Sequence, residues 1–209
     1  MSVSRIRKLS LALAALLGAG LVLPGPAAAQ FSDSYKFLEA VRKKEGEKAT
    51  DMLNEKGSSL INTRDVTSGD SALHIVTQRR DLTWMQFLVA KGANVNSRNV
   101  KGETPLVVAA NLNFLEGVEF LVGQGAKVDE PNSTGETPLI TAVHNRNIPM
   151  LRVLLRAGAS PDRADNSGRS ARDYARLDTK SDAVLKELEA STKPKLKIGP
   201  DVKVFGPKP

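Results

Sequence analysis

Apolar positions along the chain return at helical intervals in short stretches separated by polar turns. Leu106 and Ala109, then Val118, Leu121 and Val122, form one pair of stretches; Leu139 and Ala142, then Leu151, Leu154 and Leu155, form the next. Intervals of three and four residues put side chains on one face of a helix, so each pair predicts two short amphipathic helices joined by a tight turn. Ser71-Ala72-Leu73-His74 and the stripe of Trp84, Met85, Phe87 and Leu88 repeat the pattern in weaker letters, and that stripe reads as core. The outer segments "SYKFLEAVRKKEGEKATDMLNEKG" and "GRSARDYARLDTKSDAVLKELEA" are also helical in pattern. The first puts "RKKEGEK" on an exposed turn, and the last has Arg172 where the central copies have leucine. Two stretches differ. "LSLALAALLGAGLVL" is continuously apolar, and "LKIGPDVKVF" alternates apolar and polar residues as a strand does.

The helical pattern keeps time. "GETPL" occurs at 102–106 and again at 135–139, and Gly69, Gly102, Gly135 and Gly168 are each 33 residues apart. Gly92, Gly125 and Gly158 keep the same interval, each followed by alanine, while Gly57 lies 35 before Gly92. The two extra residues fall in the loop "INTRDVTSG". Each letter has a physical task. Thr104 and Thr137 are placed to accept from orphan N–H groups at a helix start. Pro105 and Pro138 follow in the first helical position, where a missing N–H costs nothing. Ala109 and Ala142 are small enough for neighbouring helices to approach closely. The second glycine set ends the second helix in the left-handed conformation.

On this period and these letters the chain resembles the ankyrin repeat family from about Ser34 to Ala190. The resemblance implies an all-α solenoid of stacked helix-turn-helix units joined by hairpin loops. Within a repeat domain at 30–190 it divides the chain into an N-terminal cap at 34–66, units at 67–99, 100–132 and 133–165, and a C-terminal cap at 166–190. Stability in such an array comes mostly from interfaces between units. His74 occupies the family's motif position, which implies that it ties the helix start to its hairpin.

Composition changes the picture at both ends. Arg5, Arg7 and Lys8, the apolar run, and Ala27 and Ala29 read together as a signal peptide at 1–29, cut after Ala29. A cleaved leader implies export, with the bacterial periplasm the expected location and release outside the cell the alternative. No cysteine follows the run to carry a lipid, and no paired arginine precedes it. The formal charge of +7 is uneven: 22 basic and 22 acidic residues lie between Gln30 and Ala190, whereas 191–209 has five lysines against Asp201. The body is neutral, so the pattern argues against nucleic acid as a partner. The proline- and lysine-rich tail at 191–209 reads as an extended arm, with contact to an anionic envelope or membrane surface as its sharper reading.

Candidate chemistry is sparse. The absence of cysteine removes thiolate metal sites, thiol nucleophiles and disulfides. Two histidines in different repeats do not converge as metal ligands, and no metalloprotease, nucleophile-elbow or phosphate-loop motif occurs. Asp162 with Asp165, and Asp129 with Glu130, sit in connecting loops and read as solvated. His144 reads as an exposed histidine, with a pH-sensitive partner contact as the alternative. No enzyme, cofactor or metal is expected.

Surface remains. In ankyrin proteins, partners usually dock on the concave face, built from hairpin tips and the exposed side of the inner helices. Counting from each repeat glycine, the second unit contributes Thr67, Ser68, Asp70, Gln78 and Arg79. The third contributes Arg98, Val100, Lys101, Glu103, Asn111 and Leu112. Ser133, Thr134, Glu136, His144 and Asn145 follow from the fourth, and Asn166, Ser167 and Arg169 from the fifth. The expected function is binding a protein partner by a rigid monomer, with Leu112→Asp and Arg79→Glu expected to weaken capture without unfolding the array. The rivals are an envelope adaptor whose tail holds an anionic surface, a host-directed effector, and an enzyme using scattered carboxylates.

Overall fold

The computed structural model describes residues 32–56 and 58–192, and those residues form eleven helices with no strand among them. The expected leader at 1–29, the glycine at 57 and the tail from 193 onward lie outside the described residues. An inner row consists of α1 (Asp33–Lys43), α4 (Ala72–Gln78), α6 (Pro105–Asn111), α8 (Pro138–His144) and α10 (Ala171–Leu177). An outer row consists of α2 (Gly46–Lys56), α5 (Leu82–Ala90), α7 (Leu115–Gly123), α9 (Ile148–Arg156) and α11 (Asp182–Thr192), and the short α3 (Ser58–Ile61) follows α2. Each inner helix packs on the outer helix that follows it and on the next inner helix. α11 includes Ser191 and Thr192, which the sequence reading assigned to the tail.

Helices α4, α6, α8 and α10 have seven residues each, too short to persist alone in water. Capping and packing hold them. Thr104 accepts from the N–H of Val107 and Thr137 from that of Ile140, with Pro105 and Pro138 directly following. Such caps contribute about 1 kcal/mol each. Ser71 and Ser170 cap α4 and α10, closed reciprocally by the His74 and Asp173 side chains. The core is continuous through the stack: Leu73, Leu106, Leu139, Ala109, Ala142 and Ala175 are buried in the inner row, and Met85, Leu88, Val118, Leu121, Leu151 and Leu154 in the outer row. Trp84 and Phe87 pack edge to face at the core's margin and stay partly exposed.

The two glycine sets differ in what they require. Gly92, Gly125 and Gly158 have φ of 91°, 80° and 92°, and a Cβ there meets no atom within 4 Å, so only the left-handed backbone selects glycine. Gly69, Gly102 and Gly135 are also left-handed, and a Cβ on them falls 2.9, 3.0 and 2.5 Å from the backbone nitrogen of Val100, Ser133 and Asn166 in the following unit. Gly168 is also left-handed, with φ of 79°, but no further unit follows it among the described residues, and its space is open. The repeat glycine therefore serves both turn and stacking wherever a described unit follows it.

The first and last described units carry charge where the central units have apolar contacts. Arg172, at the position of Leu73, Leu106 and Leu139, is largely covered and donates from Nε to Asp162 Oδ1 at 2.8 Å. In the first unit Arg42, Lys43 and Lys48 pair with acids of their own or the adjoining loop.

Candidate functional site

The tips are built by one recurring device. Asn99 Oδ1 accepts from the N–H groups of Lys101 and Glu103, Asn132 Oδ1 from those of Thr134 and Glu136, and Asp165 Oδ1 from those of Ser167 and Arg169. Successive tips are then stitched by backbone bonds: Val100 N–H to Ser68 O at 3.0 Å, Ser133 N–H to Lys101 O at 3.0 Å, and Asn166 N–H to Thr134 O at 3.1 Å. The tip backbone is thus consumed inside the stack, and side chains are what it offers. Thr67, Val100, Lys101, Ser133, Thr134, Asn166, Ser167 and Arg169 are exposed, Val100 at 69%, whereas Ser68 is half-buried and takes the Asp70 N–H on its hydroxyl.

Behind the tips a ladder runs along the inner helices. Gln78 donates to Asp70 Oδ2 at 3.1 Å, Asn111 donates to Glu103 Oε1 at 3.2 Å, and His144 Nδ1 lies 3.2 Å from Glu136 Oε1. Cross-links join the rungs. Asn99 Nδ2 donates to both Asp70 and Glu103, and Thr141 Oγ1 lies between Glu136 and Asn111. Three candidate acids, three candidate donors and the tips therefore share one surface, with Asn145 exposed at the C-cap of α8.

Three candidates are otherwise engaged. Arg79 is half-buried and donates from Nη1 to Val41 O at 2.7 Å and Arg42 O at 3.3 Å, tying the second unit to the first. Its Nε bonds Asp81 at 3.3 Å. Its buried Nη2 lies 3.2 Å from the same carboxylate, close enough for attraction but not aligned for a hydrogen bond. Arg79→Glu therefore acts on the contact between the first two units as well as on the face. Arg98 props the next loop, donating to Glu130 Oε2 at 2.8 Å and Pro131 O at 2.6 Å. Leu112 is partly buried against the core, and its carbonyl accepts from Arg80, so Leu112→Asp disturbs packing as well as surface.

The loop acids also hold the loops: Asp162 is exposed, as expected, whereas Asp129, Glu130 and Asp165 are partly buried, which corrects their reading as solvated groups. Asp129 accepts from Ser160 N–H, Glu130 from Arg98, and Asp162 from Arg172. The Tyr174 and Ser167 hydroxyls, with the tip N–H groups, hold Asp165 well below the usual carboxylate range. The N–H groups of Ser68 and Thr67, with Arg42, bring Asp65 down to about 2. His74 is fully buried; its Nδ1 faces the Ser71 N–H and its Nε2 reaches Glu103 O in the next unit. The motif histidine thus bonds across the unit boundary as well as closing its own cap. Burial, ahead of all other influences, pushes it below the ordinary histidine value.

Sequence reasoning missed Asn99 and Asn132 and read Asp165 only as a loop acid, although their 33-residue spacing lay on the same ruler. It also missed Tyr174, whose ring meets His144 edge to face with centroids 4.5 Å apart. Among the described residues, no group of three or more potential ligands could hold a metal ion, and no helix is long and apolar enough to cross a membrane.

The family model "Ankyrin repeats (3 copies)" matches residues 37–132, and the model "Ankyrin repeats (many copies)" matches residues 121–175. No curated protein matches the chain. Ankyrin repeats generally mediate binding to protein partners, and the family is generally non-enzymatic. Paired helices, stitched tips and both matches agree: the chain belongs to the ankyrin repeat family and is a protein–protein interaction module.

Proposed function

We propose that the chain binds a protein of the cell envelope, without catalysis, through the face formed by its tips and inner helices. The observation that carries this reading is the stitching of successive tips by backbone bonds, which leaves a row of outward side chains in a fixed frame. A preordered face loses little conformational entropy on association, so its contacts convert efficiently into affinity. Placement in the periplasm rests on the leader read at 1–29.

Photocrosslinking in intact cells tests the reading. A crosslinker at Val100 or Thr134 captures one neighbour, identified by mass spectrometry, and the same group at Glu119 on α7 does not. Equal capture from both faces, or none from the tips, overturns it. The five lysines of 191–209 favour a second reading, an adaptor whose tail holds an anionic surface. Salt-sensitive sedimentation with anionic vesicles, lost when the tail is deleted, is its signature.

A further inference from the structure

The ladder of acids and donors stops at the fifth unit. Counting 33 onward from Glu136 and His144 arrives at Arg169 and Leu177, so the acid becomes a cation and the donor becomes an apolar side chain. Arg169 is exposed, with its guanidinium carbon 6.0 Å from the Tyr174 ring centroid. The surrounding carboxylates are already engaged: Glu136 by His144 and Thr141, Asp178 by Arg146, Asp162 by Arg172, and Asp165 by Tyr174, Ser167 and the Arg169 N–H. Leu177 is 65% exposed and borders a recess lined also by Val143, His144, Tyr174 and Asp178, the last paired with Arg146.

We propose that this end of the face docks a carboxylate flanked by a large aliphatic or aromatic side chain, carried on an extended segment of a partner protein. The proposal rests on the protein-binding reading above and adds the chemistry of the bound segment. A guanidinium beside an aromatic ring suits a carboxylate, which it can meet with two parallel N–H bonds. The recess beside Leu177 takes the neighbouring apolar side chain out of water. Register follows from the rest of the face. Asp70, Glu103 and Glu136 stand at the equivalent places in the three preceding units, so a partner carboxylate is repelled there and accepted at the fifth.

The test pans phage-displayed random dodecapeptides on the full chain and titrates the enriched peptides, fluorescein-labelled, by anisotropy. The expected consensus is Asp or Glu adjoining Leu, Ile or Phe. Arg169→Glu weakens binding about tenfold or more, and changing the peptide's acid to Lys restores affinity for that variant. Leu177→Gln weakens binding several-fold, whereas Val66→Ser, at a fully exposed position ending the first unit, leaves it unchanged. Circular dichroism checks that each variant is folded. Binders that are basic or neutral, or insensitive to Arg169→Glu, overturn the carboxylate dock. If Val100→Asp still abolishes their binding, the protein-binding reading survives; if neither variant matters, both fail. Affinity that appears only after 193–209 is deleted assigns the recess to the chain's own Asp201-Val202. Self-association abolished by Arg169→Glu assigns it to a second copy. Either result also overturns the proposal.

Discussion

His74 Nε2 lies 2.9 Å from the carbonyl oxygen of Glu103, so a buried side chain of the second unit is bonded to the backbone of the third. Because Nδ1 faces the Ser71 N–H, the neutral tautomer with its proton on Nε2 satisfies both contacts, and a second proton would oppose the Ser71 donor. The native state therefore binds that proton less readily than the unfolded chain. A histidine depressed on folding contributes stability that is complete above its unfolded value, about 6.5, and declines as pH falls below it. Urea titrations should show wild-type stability falling between pH 7.5 and 5.5, with a flatter profile for His74→Gln. His74→Ala should cost about 2 to 3 kcal/mol at pH 7.5, leaving a cavity at the boundary and removing the bond that crosses it.

Gly135 and Gly168 form a matched pair. Both are left-handed, with φ of 83° and 79°, but only Gly135 has the next unit's backbone against its missing Cβ. Alanine at 168 should cost about 1 kcal/mol, the conformational term alone. Alanine at 135 adds overpacking against Asn166 and should cost at least about 1 kcal/mol more in thermal or urea unfolding. Equal costs would show that the tips can shift apart without penalty.

Local chemistry was legible in the sequence, and chemistry reaching between units was not. Thr104, Pro105 and Gly125 act within a few residues of themselves, so spacing alone reveals a cap, a first helical turn and a helix stop. Arg79 reads as an inner-face residue by its repeat position, but its partners are carbonyls 37 and 38 residues earlier, in a cap that lacks the motif letters. Asp165 reads as a loop acid because its tie to Tyr174 depends on how the last hairpin folds back onto α10. The polar face was legible as a set of positions. The pairing of Glu136 with His144, which determines what a partner meets, required coordinates.

Arg79→Ala should act at one end of the stack. It removes two charged-donor bonds, to the carbonyls of Val41 and Arg42, that tie α4 to α1, a loss of about 1.5 to 3 kcal/mol. In a linear array such a loss frays the terminal unit before the rest. Hydrogen exchange should therefore accelerate in α1 and α2 while α8 and α9 keep their protection.

Asp65 sets an acid limit to the same end of the molecule. Its carboxylate is lowered from 3.8 to about 2, so its stabilisation is present above the unfolded value and is lost as pH falls towards 2. Asp65→Asn should flatten the stability profile between about pH 4 and pH 2 and cost about 1 kcal/mol at neutral pH, because solvent screens its pair with Arg42. The side-chain oxygen of asparagine can still accept from Thr67 and Ser68, as Asn99 and Asn132 do in their own tips. Denaturation followed across that pH range decides it.

Val100 separates what the face presents from what holds it in place. Its side chain is 69% exposed, while its backbone N–H donates to Ser68 O in the preceding tip. Val100→Asp changes only the presented group and should leave stability within about 0.5 kcal/mol of wild type. Val100→Pro removes the N–H and unstitches the second tip from the third, at a cost of about 1 to 2 kcal/mol. If the face works as a rigid frame for side chains, both variants lose the neighbour captured from the tips, but for different reasons. The aspartate variant loses it with wild-type hydrogen exchange throughout. The proline variant loses it with faster exchange in the second and third tips. Retention of the neighbour by Val100→Asp together with its loss in Val100→Pro would mean that the partner reads the frame and not the apolar side chain at its centre.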